Sequence, residues 1–409
     1  MASSLPKRVW MDSSVAAFNS DDIFCEILIR LPPELVMKLI IVAKRWLQFI
    51  SSPNFCLSYS DRWGINFRLL GFIHSSTLYV GRPRDGLRRP KSEPAISLLA
   101  TCDEGHDLGY LGILRTLGYF IDCSNGLLLC GRHPKTYYVW NPITRDRHQL
   151  PPPRVYFEEL CMAFIAEDVP SGDMTYKVVR AKCETTPEMS NTVPIETFNP
   201  RTRTWNYSTL TCSTKFALRP WTTGTVIKGI IHWFTDQGNI AIYDPNDGER
   251  RICLTKLPGS IDYEERILGE CSDGLLQYGW SNTSTMEIWV LKTEYASCKT
   301  ASSSTTSPDY HWTMKYRLNF KTLWRKNPSF KKKSHKETQI LSFLPRDSES
   351  VFIRTESDIF RCHLVYKTLQ VLSYYGNKPM WDFCKVVPYF RPCWPHSWIR
   401  GEEDGAAQP

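Results

Sequence analysis

Two pairs of adjacent carboxylates are the first candidates for chemistry in this chain of 409 residues. Glu158 is followed by Glu159, and Glu264 is followed by Glu265. A carboxylate pair can carry acid and base catalysis when both groups face one substrate. Neighbouring residues of a strand, however, point to opposite faces of a sheet, so adjacent carboxylates rarely share a ligand. We therefore interpret both pairs as loop charges.

Cysteine and histidine, the residue types that most often bind metals or act as nucleophile and base, are scattered along the sequence. The 14 cysteines form no C-x-x-C pair, and the nine histidines form no pair with metal-ligand spacing. The motifs of phosphate-binding loops, zinc proteases and serine hydrolases do not occur in the sequence. We therefore expect a protein that is not an enzyme, uses no cofactor and keeps its cysteines reduced inside the cell.

Basic residues are concentrated in one run. The net charge is +8, and the run from Lys321 to Lys336 contains seven Lys or Arg residues and no acid. Such runs are usually solvated loops, but they can also contact an acidic partner. Within the run, Lys331, Lys332 and Lys333 are our candidates for contact with a target protein. No known nucleic-acid motif surrounds them, so nucleic acid is not an expected partner.

The stretch from Asn19 to Phe55 has the apolar spacing of three short helices. The first places Ser20 as an N-cap and is ended by Pro32, because the residue before a proline is forced out of the helical region. Three helices of this kind carry more apolar surface than some forty residues can bury, so we expect part of it to meet a partner. The alternative is a helical hairpin packed on its own domain. The three apolar stripes are Ile23, Ile27, Leu28 and Leu31, then Leu35, Val36, Leu39 and Ile40, then Val42, Trp46, Phe49 and Ile50.

Short β-branched and aromatic runs dominate from about Ile96 onward, and one hairpin pattern occurs three times. The spacing from a glycine to the aromatic that ends the second run is 14 residues (126 to 140), 14 (229 to 243) and 15 (274 to 289). Glycine allows a tight entry into a strand, and Asn or Asp before Pro favours a turn. Repeats near 45 residues are typical of a β-propeller, and the chain from Leu69 to about Tyr389 has room for six blades and at most seven. A β-sandwich is the alternative.

The helical region also resembles a known module. The order Asp-Asp-x-x-x-Glu-Ile-Leu-x-Arg-Leu-Pro from Asp21 to Pro32, then Lys-Arg-Trp and Ile-Ser-Ser-Pro-x-Phe, is similar to the F-box. The F-box docks on the Skp adaptor of cullin-based ubiquitin ligases. One departure is Asn19-Ser20 where the family usually has Leu-Pro, which removes an apolar adaptor contact. The resemblance implies adaptor contacts by Ile23, Ile27, Leu28, Leu31, Pro32, Leu35, Leu39, Val42 and Trp46.

A second resemblance begins at Asp122. The segments from Asp122 to Cys130 and from Tyr138 to Arg145, followed by Leu150-Pro151, resemble the kelch-like propeller domain that follows the F-box in large plant families. Together the two resemblances imply a multidomain α+β protein in which a small three-helix F-box precedes an all-β propeller of six or seven blades. The expected boundaries are a flexible N-terminus at 1–18, the F-box at 19–60, the propeller at 69–390 and a disordered tail at 396–409.

The function implied by these resemblances is substrate recognition in an SCF-type ubiquitin ligase. The F-box would bind the Skp-family adaptor and through it a cullin, while propeller loops would bind an unknown protein target. We expect such a protein in the cytoplasm, the nucleus or both. No membrane partner is expected, since the N-terminus lacks an apolar signal region and the longest apolar run is too short for a bilayer. The alternatives are a lectin or glycan-processing propeller and a scaffold that has lost ligase assembly.

Overall fold

The chain divides into two compact units, one that contains the N-terminal helices and one that contains the strands from Leu69 to Phe390. Among the described residues, no helix is long and apolar enough to cross a bilayer. The computed structural model describes residues 21–31, 35–36, 39, 42–50, 52, 54–55, 58–59, 62, 69–75, 96–100, 117–132, 136–141, 147–168, 174–184, 189–259, 265–294, 309–330, 338–344, 347–356, 358–374 and 385–390.

The helical unit contains α1 (Asp21–Leu28) and α2 (Lys44–Ile50), with residues 35, 36 and 39 also helical. Two aspartates in the first turn of α1 favour its start because carboxylates stabilise the positive end of the helix dipole. Parts of the predicted middle helix lie outside the described residues, so the three-helix arrangement stays a prediction. The buried core of the unit contains Phe24, Leu28, Val36, Ile50, Phe55 and Tyr59.

The described strands of the second unit form five antiparallel sheets of four strands and one sheet of three. Each four-stranded sheet is built from consecutive strands, as expected for the blades of a propeller. The strands are β1 (Leu69–Ser75), β2 (Ile96–Ala100), β3 (Tyr119–Ser124), β4 (Leu127–Arg132), β5 (Thr136–Trp140), β6 (Arg147–Gln149), β7 (Leu160–Asp168), β8 (Met174–Lys182), β9 (Ser190–Asn199), β10 (Thr204–Phe216), β11 (Thr225–Ile227), β12 (Ile230–Phe234), β13 (Asn239–Tyr243), β14 (Cys253–Lys256), β15 (Glu265–Glu270), β16 (Leu276–Ser281), β17 (Thr285–Glu294), β18 (Asp309–Asn319), β19 (Gln339–Leu344), β20 (Asp347–Arg354), β21 (Asp358–His363), β22 (Thr368–Tyr374) and β23 (Lys385–Phe390).

The number of complete blades is five, so the predicted count of six or seven is wrong. The four-stranded blades are β3–β6, β7–β10, β11–β14, β15–β18 and β19–β22. The remaining sheet has the order β2-β1-β23, in which the last strand of the domain pairs with the first. The prediction divided the domain length by about 45 residues, whereas only β1 and β2 are described before the first complete blade. A sandwich is also wrong, because the sheets are five separate four-stranded meanders.

The threefold hairpin repeat corresponds to one place in the blades. Its copies are β4–β5, β12–β13 and β16–β17, which are the second and third strands of three different sheets. The glycine before each copy has a positive φ, which is 78° at Gly126, 79° at Gly229 and 71° at Gly274. A side chain at these positions would strain the backbone. The prediction that glycine forms a tight corner here is therefore confirmed.

Tryptophans of the blades are buried where neighbouring sheets meet. Trp233 is fully buried, stacks on Tyr243 at 6.3 Å between ring centroids, and donates from Nε1 to the Met162 carbonyl oxygen at 3.1 Å. Met162 belongs to the preceding blade, so this bond joins two blades. Trp205 similarly donates from Nε1 to the carbonyl oxygen of Pro151 at 2.8 Å. These side chains pack neighbouring blades against each other.

A short helix follows the fourth complete blade, where the sequence predicted a loop. Helix α3 (Phe320–Lys326) is capped by Asn319, whose side chain accepts from the Thr322 amide, and a 3-10 turn (Pro328–Phe330) follows it. Phe320, Leu323 and Trp324 are buried. The sequence did not indicate this helix because its three apolar side chains are interspersed with three exposed cations.

Candidate partner-binding site

Helix α1 is apolar on two sides. Phe24 and Leu28 face the core and are 4% and 1% exposed, whereas Ile23 and Ile27 are 46% and 44% exposed. An eight-residue helix gains most of its stability from the face it buries, so the second apolar face adds little to folding. Water-exposed isoleucines of this kind are instead available for contact with another molecule.

Aromatic packing fixes the inner face of α1 against α2. The ring of Phe24 contacts Trp46 and Phe49, each at 4.9 Å between centroids and in edge-to-face geometry. The Tyr59 hydroxyl donates to the Leu31 carbonyl oxygen at 2.6 Å, which ties the end of α1 to a residue 28 positions later. Because the inner face is held in this way, α1 presents its outer face on a defined surface.

The exposed apolar set, counted among the described residues of the helical unit, has five members and extends beyond α1. Leu35 and Leu47 are each 45% exposed, and Val42 is 62% exposed. Five large apolar side chains exposed on so small a unit indicate a surface that binds another molecule, because exposed apolar groups lower solubility. The exposed apolar set consists of Ile23, Ile27, Leu35, Val42 and Leu47.

A groove lies along the outer side of α1. It has a volume of about 550 Å³ and combines apolar walls with the charged groups of one turn. Within it, Arg30 and Glu26 form an exposed ion pair at 2.9 Å. The groove can therefore accept an apolar side chain and still offer hydrogen-bonding groups at its edge. It is lined by Asp22, Ile23, Glu26, Ile27, Arg30 and Leu31.

The nine residues predicted to contact the adaptor occupy three environments. Ile23, Ile27, Leu35 and Val42 are exposed. Leu31, Leu39 and Trp46 are half-buried against the core, and Leu28 belongs to the core itself. Pro32 lies outside the described residues. The structure thus brings Ile23, Ile27 and Leu31 together along one groove and places Leu28 behind them. Sequence reasoning missed Leu47, whose one signal is that it is apolar but lies off the helical stripe of its neighbours.

The remaining predicted site residues lie partly outside the described part of the chain, and those that are described are not grouped into a second site. Lys331, Lys332 and Lys333 lie outside the described residues, as does Glu264. Glu265 is the first residue of β15 and accepts a hydrogen bond from Arg354 at 3.0 Å, so its interpretation as a loop charge is wrong. Glu158 and Glu159 precede β7, as predicted.

Burial shifts the pKa of titratable side chains in the core of the propeller. Burial raises the pKa of the Cys362 thiol to about 12 and lowers the pKa of His232 to about 4. Both shifts favour the neutral form at neutral pH. In the part of the chain that the structure describes, no three His, Cys, Asp or Glu side chains are grouped as a metal site requires.

Comparison with known proteins agrees with this architecture. Residues 113–328 match the family model described as F-box protein At3g26010-like, beta-propeller. The chain is 47% identical over 390 residues to F-box protein At5g03970 of Arabidopsis thaliana, which covers 94% of this chain and 90% of that protein. It is 25% identical over 343 residues to Putative F-box protein At1g12855 of the same plant, with 72% and 71% of the two chains covered.

Proposed function

Because this chain belongs to the F-box protein At3g26010-like beta-propeller family, we propose that it is the substrate-recognition subunit of an SCF-type ubiquitin ligase. In this proposal the helical unit is an F-box that binds a Skp-family adaptor and, through it, a cullin. The propeller, which we propose to be of the kelch-like type, binds a target protein. The chain itself catalyses nothing, since ubiquitin transfer belongs to the other subunits. It acts in the cytoplasm, the nucleus or both.

The observation that carries the proposal is the exposed apolar set beside the groove of α1. Protein interfaces gain most of their affinity from a few apolar and aromatic side chains that become fully desolvated. Ile23 and Ile27 are half-exposed in the free chain and line one groove, so a partner could bury them without rearranging the core. The ion pairs at the edge, Arg30 with Glu26 and Arg45 with Asp21, are exposed and suit a polar rim.

The test is titration calorimetry of the full chain with a purified Skp-family adaptor. Ile27→Asp places a charge in the groove, and burial of an unpaired charge is costly, so we expect adaptor affinity to fall by about thirtyfold or more. Tyr207→Asp is the matched control, because Tyr207 is 53% exposed on β10 of the propeller. The control should retain the affinity of the natural chain.

Two results would argue against the proposal. If the natural chain does not bind the adaptor at high micromolar concentration, the ligase function is wrong, and a scaffold without ligase assembly takes its place. If both variants weaken binding equally, the adaptor contact is not on the helical unit. Circular dichroism of each variant checks that the substitutions leave the fold intact.

A further inference from the structure

Helix α3 is firmly attached to the last complete blade. The ring of its Trp324 meets Phe360 of β21 edge-on at 5.4 Å, and Trp324 Nε1 donates to the Thr338 hydroxyl at 3.0 Å. Phe320 and Leu323 are buried in the same apolar cluster. A seven-residue helix would not be stable alone, so this packing is what maintains it.

Asn327 fixes the end of α3 to the turn between β21 and β22. Its side-chain nitrogen donates to the carbonyl oxygens of Leu323 at 2.8 Å and Lys367 at 2.9 Å. Its side-chain oxygen accepts from the Leu369 amide at 3.0 Å. One side chain thus joins the helix and the turn, and the groups around it have a defined relative position.

Exposed cations surround this junction. Lys321, Arg325 and Lys326 on α3 are exposed, and Lys367 in the turn is half-buried. None of the four forms an ion pair with another described residue. From Asp309 to Phe330 the chain has five Lys or Arg residues and a single acid. Arg317, one of the five, is paired with Glu287 at 3.2 Å, whereas the three cations of α3 have no carboxylate partner among the described residues. The charge on the outer side of α3 is therefore positive.

The stability of α3 does not account for these charges. Lys321 and Arg325 are four residues apart, where like charges repel, and Lys321 lies in the first turn, where the helix dipole disfavours a cation. Arg325 and Lys326 are in the last turn, where a cation is favourable, so the dipole explains only these two. The packed face supplies the stability of the helix, and its outer charges are available for another role.

Apolar groups accompany the cations. Tyr366 and Val365, which precede Lys367 in the turn, are 69% and 48% exposed. The Tyr366 ring lies 4.6 Å from that of His363, which limits its motion. A nearby acid, Glu349, has its carboxylate 3.6 Å from Nε2 of the same histidine. Arginine and tyrosine, like tryptophan, are enriched among the residues that contribute most to the affinity of protein interfaces.

We propose that this surface, the α3 platform, binds an acidic segment of the target protein. The platform consists of Lys321, Arg325, Lys326, Val365, Tyr366 and Lys367. The inference rests on the proposed function, since it identifies the class of target that the propeller recognises. The occupant follows from charge complementarity, because the cations of the platform lack partners within the described chain. Lys331, Lys332 and Lys333, which we predicted to contact the target, follow α3 directly in the sequence.

The experiment measures fluorescence anisotropy of a labelled peptide of alternating Glu and Gly, about 16 residues long, with the full-length chain at low and at physiological salt. A Gln-Gly peptide of equal length is the neutral probe. We expect binding of the acidic peptide that weakens as salt rises, and none of the neutral peptide. The triple variant Lys321→Glu, Arg325→Glu and Lys326→Glu should lose about tenfold in affinity or more.

A charge-matched control separates this site from general electrostatic attraction. The triple variant Arg201→Glu, Lys215→Glu and Lys256→Glu changes the net charge equally at exposed positions of other blades. It should retain affinity within about twofold, which is what loss of a distant exposed charge permits. Tyr366→Ala should weaken the acidic peptide several-fold without any change of charge.

Three outcomes would overturn the proposal. These are absence of acidic-peptide binding, an equal loss in both triple variants, and tighter binding of a single-stranded RNA that the α3 variant alone abolishes. Adaptor titration of the same variants keeps the two proposals apart. Peptide binding without adaptor binding would overturn only the ligase function, whereas adaptor binding without peptide binding would overturn only the α3 platform.

Discussion

The two units of this protein differ in how many of their apolar side chains are exposed to solvent. The described residues of the helical unit include five exposed large apolar side chains, and the described part of the far longer propeller has six. In the propeller, tryptophans such as Trp140, Trp205 and Trp233 are buried almost completely. Both units have apolar sequences, so composition alone does not separate them. Exposure does, since it distinguishes apolar groups that maintain a fold from groups that remain available to a partner.

Charged groups show the same contrast. The ion pair between Arg30 and Glu26 on α1 is about two-thirds exposed on both sides, whereas Arg180 and Glu196 of the propeller are fully buried. Arg180 also lies over the rings of Phe157 at 5.1 Å and Trp205 at 5.7 Å. Water screens the surface pair, so it contributes little to the free energy of unfolding. In the buried pair, removal of one charge leaves the other buried without a counter-charge, which is costly.

The largest expected effect is at the buried pair. Glu196→Ala leaves Arg180 charged and without its carboxylate, and it also removes the acceptor of the Arg154 and Val155 amides. We expect a loss of about 3 to 5 kcal/mol in the free energy of unfolding, measured by chemical denaturation with β-sheet circular dichroism. Glu26→Ala in α1 is the matched control and should change stability by less than about 1 kcal/mol. Equal losses would contradict the contrast between the two units.

A second prediction concerns pH, and it applies to the propeller. His232 on β12 is 6% exposed, and burial lowers its pKa to about 4 from an ordinary value near 6.5. The unfolded chain therefore binds a proton below pH 6.5 that the folded chain binds only near pH 4. The contribution of His232 to stability is fully present above pH 6.5 and is lost as the pH falls toward 4. The loss is about 3.5 kcal/mol at most, since each unit of pKa difference is worth about 1.4 kcal/mol.

The measurement compares denaturation at pH 7 and pH 5 in three chains. His232→Gln should flatten the decline of the natural chain, because glutamine takes up no proton. His311→Gln, at an exposed position of β18, should leave the decline unchanged. If His232→Gln has the same pH dependence as the natural chain, then the buried histidine is not the source of acid sensitivity.

Much of the propeller could be predicted from local sequence. The glycines at 126, 229 and 274 identify a turn because the required positive φ is a property of single residues. The blade count could not be predicted this way, since it depends on which strands pair across the domain, and the pairing of β1 with β23 joins segments some 300 residues apart. Helix α3 was missed because the burial of Phe320, Leu323 and Trp324 depends on the blade they pack on, and the local sequence does not show that contact.

The candidate site was predicted in part for a related reason. Helical spacing selected Ile23, Ile27, Leu28 and Leu31 as one stripe, but spacing does not tell which edge of a wide stripe the core will cover. In the structure Phe24 completes the inner edge with Leu28, and this leaves Ile23 and Ile27 outside. Both edges are apolar, so only the position of α2, which Trp46 and Phe49 set, decides between them.

The smallest expected effect is a gain of affinity at the helical unit. Asn19-Ser20 stand where the F-box family usually has Leu-Pro, and both residues lie outside the described part of the chain. An apolar contact of that size is worth about 1 to 3 kcal/mol, and about 1.4 kcal/mol is one decade in affinity. We therefore expect the double substitution Asn19→Leu and Ser20→Pro to tighten adaptor binding about tenfold, measured by titration calorimetry.

Two further variants serve as controls for the double substitution. Ser20 is the predicted N-cap of α1, so Ser20→Pro can cost the helix about 1 kcal/mol and offset part of the gain. Asn19→Leu alone avoids that cost and tests the apolar contact directly. Asn206→Leu adds the same side chain at an exposed position of β10. An equal gain of adaptor affinity in this variant would indicate nonspecific hydrophobic association and not a specific contact. Since the proposed adaptor contact lies on the helical unit alone, both Asn19 variants should alter adaptor affinity and leave the unfolding of the propeller unchanged.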